Sequence, residues 1–196
     1  MTAMKNTITK AAIDLFFKKG YYATSISEIA RACGIQKASI YYHFASKEDL
    51  LFSIMHDTMA ALTDYLRRNL EKVNGIEERM RRAVRCHVRF HLEHQKETFI
   101  ASSELRGLCN RNYLQIVAMR DEYEEIFQEL IAAGTRQGVF APCDVKILSY
   151  AILTLCTAGA FWFKPGGRLT VDEIAAIYEN FIISGLKQGR IERLSA

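Results

Sequence analysis

Two short stretches of the sequence concentrate side chains that can bind ligands or do chemistry. In "GIQKASIYYHF", residues 34–44, Tyr41, Tyr42 and His43 are consecutive, and helical geometry cannot bury three neighbours at once. In "CHVRFHLEH", residues 86–94, His87 and His91 are four residues apart and therefore share one face of a helix. The first stretch predicts an outward surface rich in hydrogen-bond donors, and the second raises a metal site or a catalytic site as alternatives.

The histidine stretch lacks what either chemistry needs. Cys86, Glu93 and His94 lie beside the two histidines, but no fourth ligand occurs at matched spacing, as a closed zinc site would need. The sequence also has no nucleophile motif, no phosphate-binding loop and no complete triad. We therefore predict no metal, no cofactor and no enzyme, and interpret the histidines as polar-face or pocket residues, with a metal as the less favoured alternative.

The elements that must position these residues are helices. The chain of 196 residues is 49% hydrophobic and contains two prolines, and apolar residues recur at helical spacing along nearly its whole length. An all-α fold follows. We predict longer helices at residues 46–73, 76–95, 113–137, 145–163 and 170–187, with a shorter helix near residues 99–108.

The N-terminal fifty residues predict a helix-turn-helix. A first helix over residues 5–19 stops at Gly20, and Ser25 with Glu28 forms a capping box at the start of a short second helix. Gly34 ends that helix and a third begins near residue 37. Two short helices joined by a glycine-containing turn are the unit that places its second helix in the major groove of DNA.

The distribution of charge agrees with this interpretation. Up to residue 47 the chain has seven Lys or Arg against two acids, whereas the remainder has 19 against 20. The basic excess therefore lies in the predicted DNA-binding part and favours an anionic partner there. Five scattered cysteines without a C-x-x-C pair are typical of a reducing cytoplasm, and we expect neither a signal peptide nor a membrane span.

The helix predicted over residues 145–163 is apolar around nearly its whole circumference. Such a helix either lies at the centre of a large domain or packs inward on one face and against a second subunit on the other. We favour the second alternative, because a single helix-turn-helix half-site binds DNA weakly. The predicted homodimer interface comprises Ala151, Leu155, Gly159, Ile177, Phe181 and Ile182.

The segment "GYYATSISEIARACGIQKASIYYHFASKEDLL" resembles the TetR family of transcriptional regulators. The match extends from about Ile8 to Leu51 and includes Gly20, Gly34 and the "SKEDL" that follows the third helix. The resemblance implies a homodimer, with residues 1–50 as a helix-turn-helix domain that binds double-stranded operator DNA. It implies that residues 51–196 form a helical domain that binds an effector and makes the dimer.

Helical position and the resemblance together assign the DNA contacts. Ile40 and Phe44 should point inward. The resemblance implies that the DNA backbone is held by Thr24 or Ser25 and by Tyr41, His43 and Lys47. It implies that base edges are met by Gln36, Lys37, Ala38, Ser39 and Tyr42, with Lys37 directed to guanine. For Tyr41, a half-buried packing role remains an equal alternative.

The C-terminal half is similar to the acyl-CoA-responsive branch of the family, most distinctly at "FWFKPGGRL". This implies a repressor that a hydrophobic effector, such as an acyl-CoA thioester, releases from DNA by moving the helix at residues 46–73. The predicted effector pocket comprises Phe90, Phe99, Leu105, Leu108, Met119, Tyr123, Phe127, Cys156 and Trp162. Arginines near these helices could meet the phosphates, but we interpret them as ion pairs. A helical interaction protein that has lost DNA binding is the alternative function.

Overall fold

The structure, a computed structural model, describes residues 3–188 and confirms the all-α fold. Within that range the chain forms nine α-helices and no strand. The helices are α1 (Ala3–Lys19), α2 (Ile26–Ala32), α3 (Lys37–His43), α4 (Lys47–Leu70), α5 (Ile76–Glu93), α6 (Gln95–Ser103), α7 (Asn110–Arg136), α8 (Val145–Trp162) and α9 (Val171–Gln188). A 3₁₀ turn, Leu105–Gly107, precedes α7.

Most predicted helices differ from the observed ones by no more than three residues at either end. The exception is the short helix predicted near residues 99–108, which the structure replaces by α6 and the 3₁₀ turn. The break comes at His94, whose backbone leaves the helical region with φ −117° and ψ 47°. The periodicity of apolar residues does not reveal a single non-helical residue. The sequence therefore predicted the start of this helix near residue 99, whereas α6 begins at Gln95.

Local capping explains where α2 begins and ends. The Ser25 hydroxyl accepts a hydrogen bond from the Glu28 backbone N–H at 3.2 Å, and the Glu28 carboxylate accepts one from the Ser25 N–H at 2.8 Å. This capping box satisfies two donors that the first turn would otherwise leave exposed. After α2, Gly34 adopts φ +67°, a left-handed conformation that only glycine reaches without steric cost.

The described residues up to Ala60, together with Gln95–Met119, form one compact unit, here called unit 1. In it α1 packs against α2 and α6, and α2 packs against α3. The centre is apolar and almost solvent-free, and its largest members are Phe16, Phe44, Ile8, Ile29, Ile40, Leu50, Leu51, Ile54 and Met55. Every helix of the helix-turn-helix thus contributes to the same core.

Residues Ala61–His94, together with the described residues from Arg120 onward, form a second compact unit, unit 2. Here α5 packs against both α8 and α9. Polar contacts reinforce the α5–α9 packing, because Arg81 and Arg85 both donate to the carboxylate of Glu179, at 3.1 and 2.8 Å. Arg81 also pairs with Glu77, which in turn binds Lys187.

The two packing units do not coincide with the predicted domains of residues 1–50 and 51–196. Unit 1 also contains α6, the 3₁₀ turn and the start of α7, because α1 packs against α6 and the core holds Ile100 and Ile116. The helices α4 and α7 contribute residues to both units. The boundary near residue 50 therefore remains a prediction about function.

We expect Glu179→Ala to destabilise unit 2 by roughly 1–3 kcal/mol, because it leaves two guanidiniums without the carboxylate that they share. The lower part of the usual range applies, since Arg81 and Arg85 are partly exposed and solvent screens their charges. Urea unfolding of the full chain measures the change in the free energy of unfolding.

The control is Asp64→Ala, which removes an exposed i,i+4 pair with Arg68 in the same unit. We expect a loss below about 0.5 kcal/mol there. Equal losses for the two variants would show that the Glu179 cluster is no more than another surface ion pair.

Candidate nucleic-acid interface

The third helix divides into a buried and an exposed face. Ile40 is completely buried and Phe44, at the C-cap, is nearly so, as the i,i+4 spacing predicted. The predicted base-contacting side chains are all exposed: Gln36, Lys37, Ala38, Ser39 and Tyr42. All five side chains are thus accessible from solvent, and their contacts with bases remain a prediction.

The consecutive aromatic residues of α3 differ in burial. Tyr42 is 87% exposed, whereas Tyr41 is 47% exposed, so its ring is partly covered and partly free. The Lys37 ammonium lies 5.8 Å from the centre of the Tyr41 ring, and the rings of Tyr42 and His43 are nearly perpendicular, with their centres 5.1 Å apart. The surface therefore combines a cation, hydroxyls and apolar rings, which suits both phosphates and base edges.

The N-terminus of α2 already holds a negative charge of its own. Glu28 accepts a hydrogen bond from Lys19 at 2.6 Å, in addition to those from Ser25. The bond from Lys19, followed by those from Ser25, lowers the pKa of Glu28 to about 2. Glu28 is thus a carboxylate at physiological pH, and it occupies the Ser25 N–H. The exposed Ser25 side chain stays a predicted contact to the DNA backbone.

Thr24 requires a correction. Its side chain is only 1% exposed, and its hydroxyl donates to the carbonyl of Gly20 at 2.9 Å. A buried hydroxyl that is already satisfied by the protein cannot reach a phosphate. The side chain of Thr24 therefore stabilises the turn between α1 and α2, and of the predicted pair only Ser25 presents its side chain to solvent.

Lys47 also acts within the protein. Its ammonium donates to the carbonyls of Tyr21 at 3.0 Å and Thr24 at 2.9 Å, and it lies 4.3 Å from the centre of the Tyr21 ring. Two of its three N–H donors are thus engaged. In this structure Lys47 ties the start of α4 to the α1–α2 turn, and its contact to the DNA backbone remains a prediction.

The predicted effector residues are divided between the two units. Phe99, Leu105, Leu108 and Met119 belong to unit 1, where the last three pack against its core. The other five belong to unit 2, where Phe90, Tyr123, Phe127 and Cys156 are buried and Trp162 is exposed. The structure brings Tyr123 and Phe127 together, with their ring centres 5.7 Å apart.

His87 is the polar centre of this part of unit 2. Its Nδ1 lies 2.9 Å from the Tyr123 hydroxyl and its Nε2 lies 3.0 Å from the Thr157 hydroxyl. Burial, and then the neighbouring His91, lower the pKa of His87 well below its usual value, so the ring is neutral. Burial, followed by His94 and Arg120, lowers the pKa of His91 to about 4.

The same geometry bears on the metal alternative. Both ring nitrogens of His87 already face hydroxyl groups, which leaves no nitrogen of this ring for a metal. Among residues 3–188, no group of three or more His, Cys, Asp or Glu side chains is arranged to hold a metal ion.

The predicted dimer residues differ in their burial. Ala151 and Leu155 of α8 and Ile177 and Phe181 of α9 are exposed, whereas Gly159 and Ile182 are buried within the chain. An apolar groove of about 280 Å³ runs between these two helices, lined in part by Leu148, Leu155, Phe181 and Ile182.

Within the described range, α8 alone is long and apolar enough to cross a membrane, by length and composition only.

Two family models match the chain. The model described as "Bacterial regulatory proteins, tetR family" covers residues 8–54, which contain the helix-turn-helix. The model described as "Tetracyclin repressor-like, C-terminal domain" covers residues 74–186, more than half of the chain. The chain belongs to the TetR family. It is therefore a DNA-binding transcriptional regulator and not an enzyme, as the sequence predicted.

Similar proteins align with nearly the whole length of this chain. The HTH-type transcriptional repressor KstR2 of Rhodococcus jostii (strain RHA1) is 26% identical over 179 residues, which cover 89% of this chain and 87% of that protein. The crystal structure of the TetR family transcriptional regulator PfmR from Thermus thermophilus aligns with a TM-score of 0.85 at 33% identity and covers 92% of this chain and 99% of its own.

A third similar structure contains ligands. The crystal structure of AibR in complex with isovaleryl coenzyme A and operator DNA aligns with a TM-score of 0.84 at 29% identity. It covers 91% of this chain and 97% of its own. The similar structures thus include a protein in complex with both operator DNA and an acyl-CoA.

For this TetR-family regulator we expect Lys37→Ala to change base preference. The variant should lose roughly 1–3 kcal/mol of discrimination at one guanine of the operator and much less affinity for random DNA. An operator selected from a randomised library, and variants of it substituted at each position, would be titrated with both proteins at several salt concentrations.

Lys10→Ala, which removes an exposed lysine of α1, is the matched control for loss of charge. If Lys37→Ala weakened binding to the operator and to random DNA by the same factor, Lys37 would be a backbone contact.

Proposed function

We propose that the chain is a cytoplasmic, homodimeric repressor that a hydrophobic small molecule, such as an acyl-CoA thioester, releases from its operator. Operator binding uses the exposed face of α3 described above, and dimerisation uses the exposed apolar face of α8 and α9. The observation that carries the effector half is the buried polar centre at His87, enclosed by aromatic side chains in unit 2. The free cysteines Cys33, Cys86, Cys109, Cys143 and Cys156 fit a reducing compartment.

The apolar face of α8 and α9 supports the homodimer. Phe181 is 68% exposed and Ile177 54%, and Phe161 and Trp162 at the end of α8 are more than half exposed. A contiguous apolar surface of this kind marks an interaction site on a soluble protein. A second copy is its natural occupant, because two recognition helices spaced by one turn of DNA, about 34–36 Å, are needed to read a palindromic operator.

The surroundings of His87 support a hydrophobic effector with one polar group. Tyr123, Phe127 and Cys156 provide an apolar lining, while the hydroxyls of Tyr123 and Thr157 and the neutral His87 ring can donate to a carbonyl oxygen. A thioester carbonyl at the head of a short acyl chain has this combination. The complex of AibR with isovaleryl coenzyme A is consistent with the proposal.

The arginines agree with the ion-pair interpretation. Arg85 binds Glu179, and Arg89 binds Asp172 and Glu93. The phosphates of a coenzyme A would therefore have to compete with these acids. The acyl part of the effector is accordingly the better supported half of the proposal.

Close packing around His87 supplies a mechanism for release. His87 is 3% exposed and Tyr123 also 3%, so an effector that enters must separate side chains that are now in contact. The effector then binds a different conformer better than this one, and the difference in affinity is what shifts the population. By linkage, operator and effector weaken each other's binding by the same factor.

We expect Phe181→Glu to convert a dimer into a monomer of 22.4 kDa, because a carboxylate cannot be buried unpaired in an apolar interface. Sedimentation velocity measures the mass, and operator binding should fall because the half-sites no longer act together. Leu114→Glu, at an exposed leucine of α7, is the control and should leave the mass unchanged. A monomeric wild type, or a dimeric Phe181→Glu variant, would contradict the proposed interface.

The effector proposal is tested by thermal unfolding with isovaleryl-CoA, longer acyl-CoA thioesters, free fatty acids, aromatic acids and coenzyme A alone. A true effector at one hundred times its dissociation constant stabilises the chain by about 2.7 kcal/mol and raises its Tm. The same compound should release DNA, and Tyr123→Phe should weaken its binding without weakening operator binding. If the compounds that raise Tm leave operator affinity unchanged, release by those compounds is excluded.

A further inference from the structure

We infer that five residues of unit 1, Tyr21, Tyr22, Glu48, Glu104 and Gly107, position the helix-turn-helix for DNA binding without touching DNA themselves. We call these residues the linker latch, because they join the segment between α6 and α7 to the α1–α2 turn and to the start of α4. The inference rests on DNA binding, which follows from membership of the family, and not on the identity of an effector.

The first part of the latch holds the α1–α2 turn. The Tyr21 backbone N–H donates to the Glu104 carboxylate at 3.2 Å, and the Tyr22 hydroxyl donates to the Arg106 carbonyl at 2.8 Å. Both bonds join residues more than eighty positions apart in the sequence. The conspicuous "YY" pair after α1 thus has a partner in the segment between α6 and α7.

The second part of the latch is a close approach at Gly107. A Cβ atom there would lie 2.8 Å from the Tyr21 ring and 2.9 Å from a methyl group of Leu51, both too close for a real contact. The glycine therefore lets the linker backbone pack directly against the Tyr21 ring. That ring also contacts Phe16 and the ammonium of Lys47, so the linker touches the same side chain that fixes the turn.

The third part of the latch joins α4 to α7. Glu48 Oε1 accepts from the Cys109 backbone N–H at 3.2 Å and from the Asn112 side-chain amide at 2.8 Å. Asn110 begins α7, so the carboxylate lies at the positive end of that helix, where a negative charge is favourable. Neighbouring residues of α4 thus hold different segments, Lys47 the α1–α2 turn and Glu48 the start of α7.

The hydrogen bonds of Tyr22 and Glu48 suit a positioning role because they can open without unfolding the core. Tyr22 is 70% exposed, and single hydrogen bonds at the surface contribute little to stability. The core residues Ile40 and Phe44 hold α3 in place, while the latch adjusts the turn from which α2 begins. Local contacts of low stability are the ones that shift when a binding surface is rearranged.

The experiment uses the full chain and an operator selected from randomised DNA. Tyr22→Phe removes one hydroxyl and Glu48→Ala removes the carboxylate at α7. Tyr113→Phe, at an exposed tyrosine of α7, and Glu97→Ala, at an acid in the first turn of α6, are the matched controls. Operator affinity is measured across salt concentrations, and hydrogen exchange of residues 104–112 is measured with and without operator.

We expect each latch variant to raise the dissociation constant for the operator about threefold, and the double variant about tenfold, as the competent conformer becomes less populated. The slope of log K against log salt should stay unchanged, because no phosphate contact is lost. In the wild type and in the controls, operator should slow exchange of residues 104–112, and in the double variant this protection should disappear.

Three outcomes would overturn the inference while leaving the DNA-binding assignment intact. The first is a salt slope that falls by about one in Tyr22→Phe, which would make Tyr22 a phosphate contact. The second is unchanged operator affinity with identical exchange of residues 104–112 in the free and bound wild type. The third is an equal loss of affinity in the control variants, which would indicate general destabilisation. A wild type that binds no DNA at low salt would fail before any variant is compared and would overturn the DNA-binding assignment as well.

Discussion

The ammonium of Lys47 is the contact on which the presentation of the recognition helix depends. Lys47 is the first residue of α4, and its ammonium donates to the carbonyls of Tyr21 and Thr24 in the turn between α1 and α2. Hydrogen bonds to a charged group contribute about 1.5–3 kcal/mol each, more than a neutral bond. Because α3 lies between α2 and α4 in the chain, fixing both flanks leaves it little freedom, and its exposed face acquires a defined direction.

Around that contact, unit 1 separates the residues that stabilise from those that bind. Ile40 and Phe44 are buried in the core and hold α3 in place. The exposed residues of α3, among them Lys37, Ser39 and Tyr42, are therefore available to bind DNA. The side chain of Thr24, by contrast, is buried, and its hydroxyl donates to the carbonyl of Gly20. A residue type that could bind a phosphate is thus used to hold the turn, and the exposed side chains beside it are left for DNA.

The sequence predicted what depends on local periodicity. The capping box of Ser25 and Glu28, the inward Ile40 and Phe44 and the outward remainder of α3 all follow from residues within four positions of one another. The contacts of Lys47, Glu48 and Glu104 join residues 23 to 83 positions apart, and no spacing rule reports such distances. The doubled tyrosines after α1 and the lone Gly107 were visible in the sequence, but nothing there indicated that they meet. For the same reason the predicted effector residues fell into two packing units rather than one.

The buried polar groups of unit 2 differ in how readily they can change. Glu179 is fixed by Arg81 and Arg85, and opening that cluster would leave its nearly buried carboxylate without a cationic partner. His87 is neutral, and its partners are the hydroxyls of Tyr123 and Thr157, which can rotate toward a new acceptor at little cost. An incoming carbonyl can therefore replace a hydrogen bond at His87 without stranding a charge. That difference makes the His87 centre suited to exchange partners, and the Glu179 cluster suited to keep α9 on α5 while it does so.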